Sequence, residues 1–445
     1  MTLQADATPT KRFFIDNLTR DLTLEDAILD LVDNSIDAFI RTRNIDVSPA
    51  LLRGAIDGGG LPASAPAAPP IKITVNANEI VIADRCGGIA VDRAETEVFR
   101  IGRVDSEIES ALGVYGIGLK RAIFKIGRDI TIQSHTENDG FLMRLDVNKW
   151  AGEDSWMIPF EVAPKAKSKA QAGTTITIRK LTPEVLLRIK DPVLMRRLFE
   201  GLSSTYTLFL GRFLHITLND KPVAAKPLPL GSSADLEPAF RELTFGDVKV
   251  ELFAGLAGRK AGEWNIDRAG WYVLCNGRVV VHADKTETTG WGLNGPQFVS
   301  KYRGFVGIAF FFSENPASLP WTTTKRGLNQ ESEAYLRTRL EMMATARPVL
   351  TFLNNMYPSE PAPDVAERTM VDKLTVVDLR SITAKPNAAF TAKVIRQAKK
   401  NVSVQYSAPL ADVEQIKKKI NKPSMGAGAV GLHTFKYFLR MECAE

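Results

Sequence analysis

One helix constrains what the rest of this chain can become. From Asp26 to Arg41 the apolar residues Ala27, Ile28, Leu31, Val32, Ile36 and Phe39 recur at helical spacing, which commits one face to a core. The opposite face carries Asp30, Asn34, Asp37 and Arg41 at i, i+4, i+7 and i+11, so these four line up along the helix. A solvated face is normally richer in Lys, Gln and Glu, which form helices better than Asp and Asn do. Short oxygen-bearing side chains on a rigid element suit a hard cation; an ordinary amphipathic surface helix fits the same pattern. Thr23 and Asp26 form a capping pair at its start.

A chain of 445 residues has room for about two or three domains. No window reaches the roughly 20 uncharged apolar residues of a membrane span, and the opening residues lack the basic segment and apolar run of a secretory leader. Cys86, Cys275 and Cys443 are too few and too scattered for a disulfide framework or a zinc site, and the four histidines are equally isolated. A cytoplasmic location is the expectation. The net charge of +6 is uneven: from Met370 onward there are thirteen Lys or Arg against six Asp or Glu, so the basic character lies in the tail.

Along the chain, Phe13 and its neighbours form a short amphipathic segment that is either local packing or a strap toward a partner. Gly58 to Pro70 is rich in Gly, Ala and Pro and reads as a surface loop. Ile71–Val75 and Glu79–Ala83 read as strands. The second runs into Asp84-Arg85-Cys86-Gly87-Gly88, which presents a carboxylate at a strand end, although the same run makes an ordinary turn. Gly113-Val114-Tyr115-Gly116-Ile117-Gly118 opens a helix containing Lys120. Such glycines free backbone N–H groups for phosphate oxygens, and Lys120 adds a point charge. This is neither a Walker A loop nor a dinucleotide fingerprint. With strands at Asp129–Ser134, Met143–Val147 and Gly173–Ile178, the first 180 or so residues form an α+β layer with helices on one face of a mixed sheet.

In order and spacing, Asp30-x-x-x-Asn34-x-x-Asp37-Ala38, Asp84-x-x-x-Gly88, Gly113-x-x-Gly116-x-Gly118 and Gly173-Thr174 resemble the ATP-binding motifs of the GHKL superfamily. That group includes DNA gyrase, MutL, the ninety-kilodalton heat-shock chaperones, MORC ATPases and histidine kinases. The resemblance implies the GHKL (Bergerat) fold, with ATP and Mg²⁺ as ligands. It assigns Asn34 to the metal, Asp84 to the adenine amino group and Gly88 to close approach of the base. Gly113, Gly116 and Gly118 become the lid over the phosphates, and Thr174 the hydroxyl that reaches the base through water. Two departures stand out. Asp30 occupies the position where most of the family has a catalytic Glu, on an arm one methylene shorter, which implies slow hydrolysis. Cys86 replaces a glycine of the adenine loop.

Strands are dense from about Leu210 to Leu350, followed by Thr322-Thr323-Thr324-Lys325-Arg326 and a helix from Ser332 to Leu353. This resembles the α/β transducer domain of gyrase, MutL and MORC proteins, which supplies a lysine to the γ-phosphate; Lys325 is the matching residue, and a solvated loop lysine is the plainer alternative. No histidine precedes the ATP motifs in a dimerisation helix, which disfavours a histidine kinase. The expected organisation is an ATP-binding domain over 1–205, a transducer-like domain over 206–355, a linker over 356–369 and a small basic domain over 370–445. The tail contains Lys417-Lys418-Lys419, which suits either phosphate contact with DNA or a solvated helix face.

Together these features imply a Mg-dependent ATPase that pairs into a nucleotide-dependent homodimer and clamps DNA or protein, as MORC-like or phage-defence ATPases do. The alternative is an ATP-sensing scaffold or chaperone-like protein that scarcely hydrolyses and recruits an effector protein through its C-terminal residues. Neither reading involves a membrane.

Overall fold

A computed structural model describes residues 9–43, 70–100, 102, 112–113, 116–211, 213–259, 263–293, 295–357, 366–376, 387–393 and 404–443. The glycine- and proline-rich segment before Pro70, and Val114 and Tyr115 of the glycine loop, lie outside them. The described residues divide into two units, Met1–Val394 and Ile395–Glu445.

The first unit begins with α1 (Lys11–Arg20) and α2 (Leu24–Arg43). Thr23 caps α2 as its position implies, its Oγ1 accepting from the Asp26 amide at 3.1 Å. Eight strands follow: β1 (Pro70–Val75), β2 (Glu79–Asp84), β3 (Gly127–His135), β4 (Gly140–Asp146), β5 (Phe160–Val162), β6 (Gly173–Leu181), β7 (His215–Leu218) and β8 (Lys221–Pro222). They form one sheet in the order β5-β4-β3-β6-β2-β1-β7-β8. All neighbours run antiparallel except β1 and β7, so the sheet is mixed.

In β1 the residues Ile71, Ile73 and Val75 are buried while Lys72 and Thr74 are exposed, the alternation of a sheet covered on one face. That cover comes from α2 and α3 (Gly118–Ile126), which pack together and on the strands. Helices α4 (Val147–Ala151), α5 (Pro183–Ile189) and α6 (Leu194–Thr205) complete the layer, which is the expected α+β fold. Its topology also sets the site. Because β2 lies beside β6 and β6 beside β3, Ala83 faces Thr175 and Ser134 faces Thr174, so three strand ends meet where β2 finishes at Asp84.

A second sheet holds β11 (Ala239–Phe245), β12 (Val248–Leu256), β13 (Gly270–Cys275), β14 (Arg278–Asp284) and β15 (Phe305–Phe312), ordered β11-β12-β15-β13-β14, with the short β9 (Gly231–Ser232) and β10 (Leu236–Glu237) preceding it. Every residue of β13 and β15 is buried, as strands covered on both faces must be. One cover is α7 (Glu333–Met356), which packs on β11, β12 and β15.

Beyond α7 the chain stays with this unit. Met370, Val371 and Leu374 are buried around α8 (Ala366–Val371), β16 (Thr375–Val376) pairs with β9, and β17 (Thr391–Ala392) pairs with β10. The unit therefore ends at Val394, past the expected start of a separate domain at 370, because the apolar residues just after 369 have strands and a helix to cover them. The second unit contains α9 (Leu410–Lys419) and α10 (Ala427–Glu442), which pack on each other. Lys417, Lys418 and Lys419 occupy the last turn of α9, where cations complement the helix dipole. Among the described residues no helix is long and apolar enough to cross a membrane.

Candidate functional site

The central helix α2 is almost wholly enclosed. Residues 27 to 33 and 35 to 37 are buried, and Asn34 is the single exposed position between Leu24 and Ile40. Its amide makes no hydrogen bond to the described residues, so a helix otherwise sealed in protein leaves one oxygen donor open. The acids around it are committed. Asp37 accepts the Leu112 amide at 2.7 Å, which pins the chain entering the glycine loop one residue before Gly113.

Asp30 is 4% exposed and ion-paired with Arg121 of α3, whose Nε and Nη2 both lie 2.7 Å from its Oδ2. Burial pushes this carboxyl above its ordinary range, against the opposing pull of Arg121 and, more weakly, Lys325. Gly118, the last lid glycine, sits against it: a Cβ there would stand 3.9 Å from Asp30 Oδ2. Lys120, buried in the same helix, turns its ammonium onto the Gly116 carbonyl, and burial lowers it to about 8.

The residues that the resemblance assigns to the base gather at the strand ends. Asp84 Oδ2 accepts from Ser35 at 2.8 Å, and its Oδ1 accepts the amides of Cys86 at 2.9 Å and Thr174 at 3.3 Å. Burial raises this carboxyl too, in spite of those three donors. Thr174 shares a hydrogen bond of 2.9 Å with Ser134, and Ser134 accepts the Ile89 amide at 2.7 Å. Two glycines are required by shape. Gly88 has φ +74°, and a Cβ there would collide with the His135 carbonyl; a Cβ on Gly173 would collide with the carbonyl of Asp84 itself. Cys86 is buried beside them, and its carbonyl accepts from Thr42 at 2.6 Å.

The second sheet reaches α2 through a residue the sequence reading passed over. Asp33, 1% exposed, receives Lys325 Nζ at 2.9 Å on Oδ2, and on Oδ1 both Arg278 Nε at 3.0 Å and the Tyr206 hydroxyl at 2.7 Å. Burial alone would raise this carboxyl; Arg278 and Lys325 outweigh it and hold it at about 2. Arg278 also donates from Nη1 to the Lys325 carbonyl at 2.6 Å, which fixes the loop lysine at φ +55°, a conformation costly for a residue with a Cβ. Its Nη2 is buried and unpartnered. Arg326 clasps Asp26 one helical stretch earlier.

Lys325 therefore stands on α2 at the residue next to Asn34, within one compact unit. Asp33, Tyr206 and Arg121 were missed because each pairs with a residue far away in sequence; the only local hint was an acidic residue inside an apolar helical run. A metal here has one protein candidate, Asn34, since no group of three His, Cys, Asp or Glu among the described residues could hold an ion. A hard cation at Asn34 would take its remaining oxygens from phosphate and water.

Residues 22–174 match the family model described as histidine kinase-, DNA gyrase B-, and HSP90-like ATPase. No curated protein matches the chain. The matched stretch holds α2, the Asp84 strand end, the glycine loop and Gly173-Thr174 in one fold. Over these residues the chain is similar to the ATP-binding domains of the GHKL superfamily.

Proposed function

We propose that the protein is a Mg-dependent ATPase whose nucleotide site drives a rigid-body change between its two sheets, pairs its ATP-binding domains into a homodimer and closes them as a clamp. The observation that carries this reading is the position of Lys325: it comes from the loop between β15 and α7 and binds α2 beside Asn34, the exposed oxygen donor of that helix. An anion bound at Asn34 would compete with Asp33 for Lys325 and offer the buried Nη2 of Arg278 a partner. A ligand bearing a γ-phosphate would then favour one arrangement of the sheets over another by its differential contacts.

In this reading Asp84 selects adenine, with Gly88 and Thr174 shaping its pocket, and Gly113, Gly116, Gly118 and Lys120 face the phosphates. Mg²⁺ at Asn34 supplies charge neutralisation at the phosphate oxygens. Asp30 takes the proton of the attacking water as its oxygen bonds to the γ-phosphorus; ADP leaves with the electrons of the broken P–O bond, and Asp30 returns the proton to solvent. The basic second unit, with its lysine-tipped α9, makes DNA the favoured client, in the manner of MORC-like ATPases.

The ion pair at Asp30 supports a second reading, an ATP-sensing scaffold with the base neutralised by Arg121 and a partner recruited by the tail. Two measurements separate them. Sedimentation with Mg²⁺ and a non-hydrolysable ATP analogue should convert monomer to dimer. Single-turnover hydrolysis should fall about 100-fold in Asp30→Ala; equal rates at background in wild type and variant would leave the scaffold.

A further inference from the structure

Asp30 is an unusual base to find in this position, and the residue that holds it was not part of any motif. Its carboxylate is enclosed by α2 and α3, and both hydrogen bonds from Arg121 fall on the same oxygen, Oδ2. A bidentate guanidinium normally takes one carboxylate oxygen per nitrogen. Here the geometry reserves Oδ2 for Arg121 and leaves Oδ1 unengaged. Arg121 belongs to the first turn of α3, where its amide bonds the Ile117 carbonyl at 3.0 Å, so the same turn carries Gly118, Lys120 and the guanidinium.

We infer that Arg121 is a positioning residue for the hydrolytic base: it clamps Oδ2 of Asp30, keeps Oδ1 as the proton-accepting atom, and ties that atom to the helix opened by the glycine loop. The inference rests on the ATPase reading above. Its logic is that a short acidic side chain has little freedom to search for a water, so its one productive orientation must be imposed. A fixed guanidinium imposes it and also opposes the protonation that burial favours. The other charged groups acting on Asp30 are Asp33 from its own helix, Lys325 from the loop before α7 and Arg278 from β14. Asp33 is neutralised by those two cations, which leaves Arg121 as the counter-charge in direct contact with Asp30.

The test compares wild type, Arg121→Gln, Arg121→Lys, Asp30→Asn and the double variant Asp30→Asn with Arg121→Gln. Each is measured for single-turnover hydrolysis across pH and for affinity toward a non-hydrolysable ATP analogue. Arg121→Gln should slow hydrolysis at neutral pH by about tenfold or more and move the acid limb of the rate profile to higher pH, with analogue affinity changed less than about threefold. Arg121→Lys, which keeps the charge, should restore most of the acid limb. If Arg121 acts only through Asp30, the double variant hydrolyses no more slowly than Asp30→Asn. Equal losses of rate and affinity, an unmoved pH profile, or additive losses in the double variant would each overturn the inference and leave the ATPase reading standing. Wild-type turnover that does not depend on Asp30 would overturn both.

Discussion

Replacing Asp33 by Asn removes one buried carboxylate and strands three partners. Arg278 and Lys325 hold the ionised carboxyl at about 2, well below its ordinary range, an interaction of about 2–3 kcal/mol. The substitution costs more than that, because Arg278, 1% exposed, and Lys325 keep their charges in a site built for an anion. Breaking a buried pair from one side costs about 3–5 kcal/mol, which in a unit of this size lowers the melting temperature by about 4–6 °C. Thermal unfolding followed by near-ultraviolet circular dichroism measures it. The cause can be isolated, since a double variant that also carries Lys325→Met removes one stranded cation and should recover about half of the loss. The wild-type dependence on acid follows from the same pair. A carboxyl depressed in the folded state contributes fully above about pH 4 and loses its contribution as pH falls toward about 2. An Asp33→Asn variant within about 1 kcal/mol of wild type, or a double variant no better than the single, would refute the view that this carboxylate joins the two sheets.

Three further outcomes test the site. Asp84→Asn should weaken ATP binding by about 10- to 100-fold in calorimetry, since in the proposed function the lost acceptor is the one assigned to adenine. Gly173→Ala should lower both stability and ATP affinity, by about 1–3 kcal/mol in unfolding, because its methyl would occupy the place of the Asp84 carbonyl. ATP affinity should decline as pH rises through about 8, the value to which burial lowers Lys120; Lys120→Met should bind more weakly at pH 7 and lose that dependence.

Much of this site was legible because its motifs are local. The alternation of Ile71, Ile73 and Val75, the helical period through α2 and the glycine spacing each depend on neighbours a few residues apart, and the strands they specify bring Asp84, Ser134 and Thr174 together by register alone. What stayed hidden is the chemistry of pairing. Asp30 is in the place its motif gives it, yet whether it is a free base or a clamped one depends on Arg121, ninety-one positions away. Lys325 was identified as a lysine with a distant destination, and its contact in the structure is Asp33, an acid that reads in sequence as an interruption of an apolar run. The reason is physical. A buried charge is tolerated only with its partner in place, so Asp30 and Asp33 each demand a cation while Asp37 takes a backbone amide, and the fold alone decides which partner arrives. The three acids Asp26, Asp30 and Asp33 meet Arg326, Arg121 and the pair Arg278 and Lys325 in turn. Two of these connections run to β14 and the loop before α7, and one to the helix behind the glycine loop. In the function proposed above, a ligand that draws on either side would act on the other through α2, the helix on which these ion pairs converge.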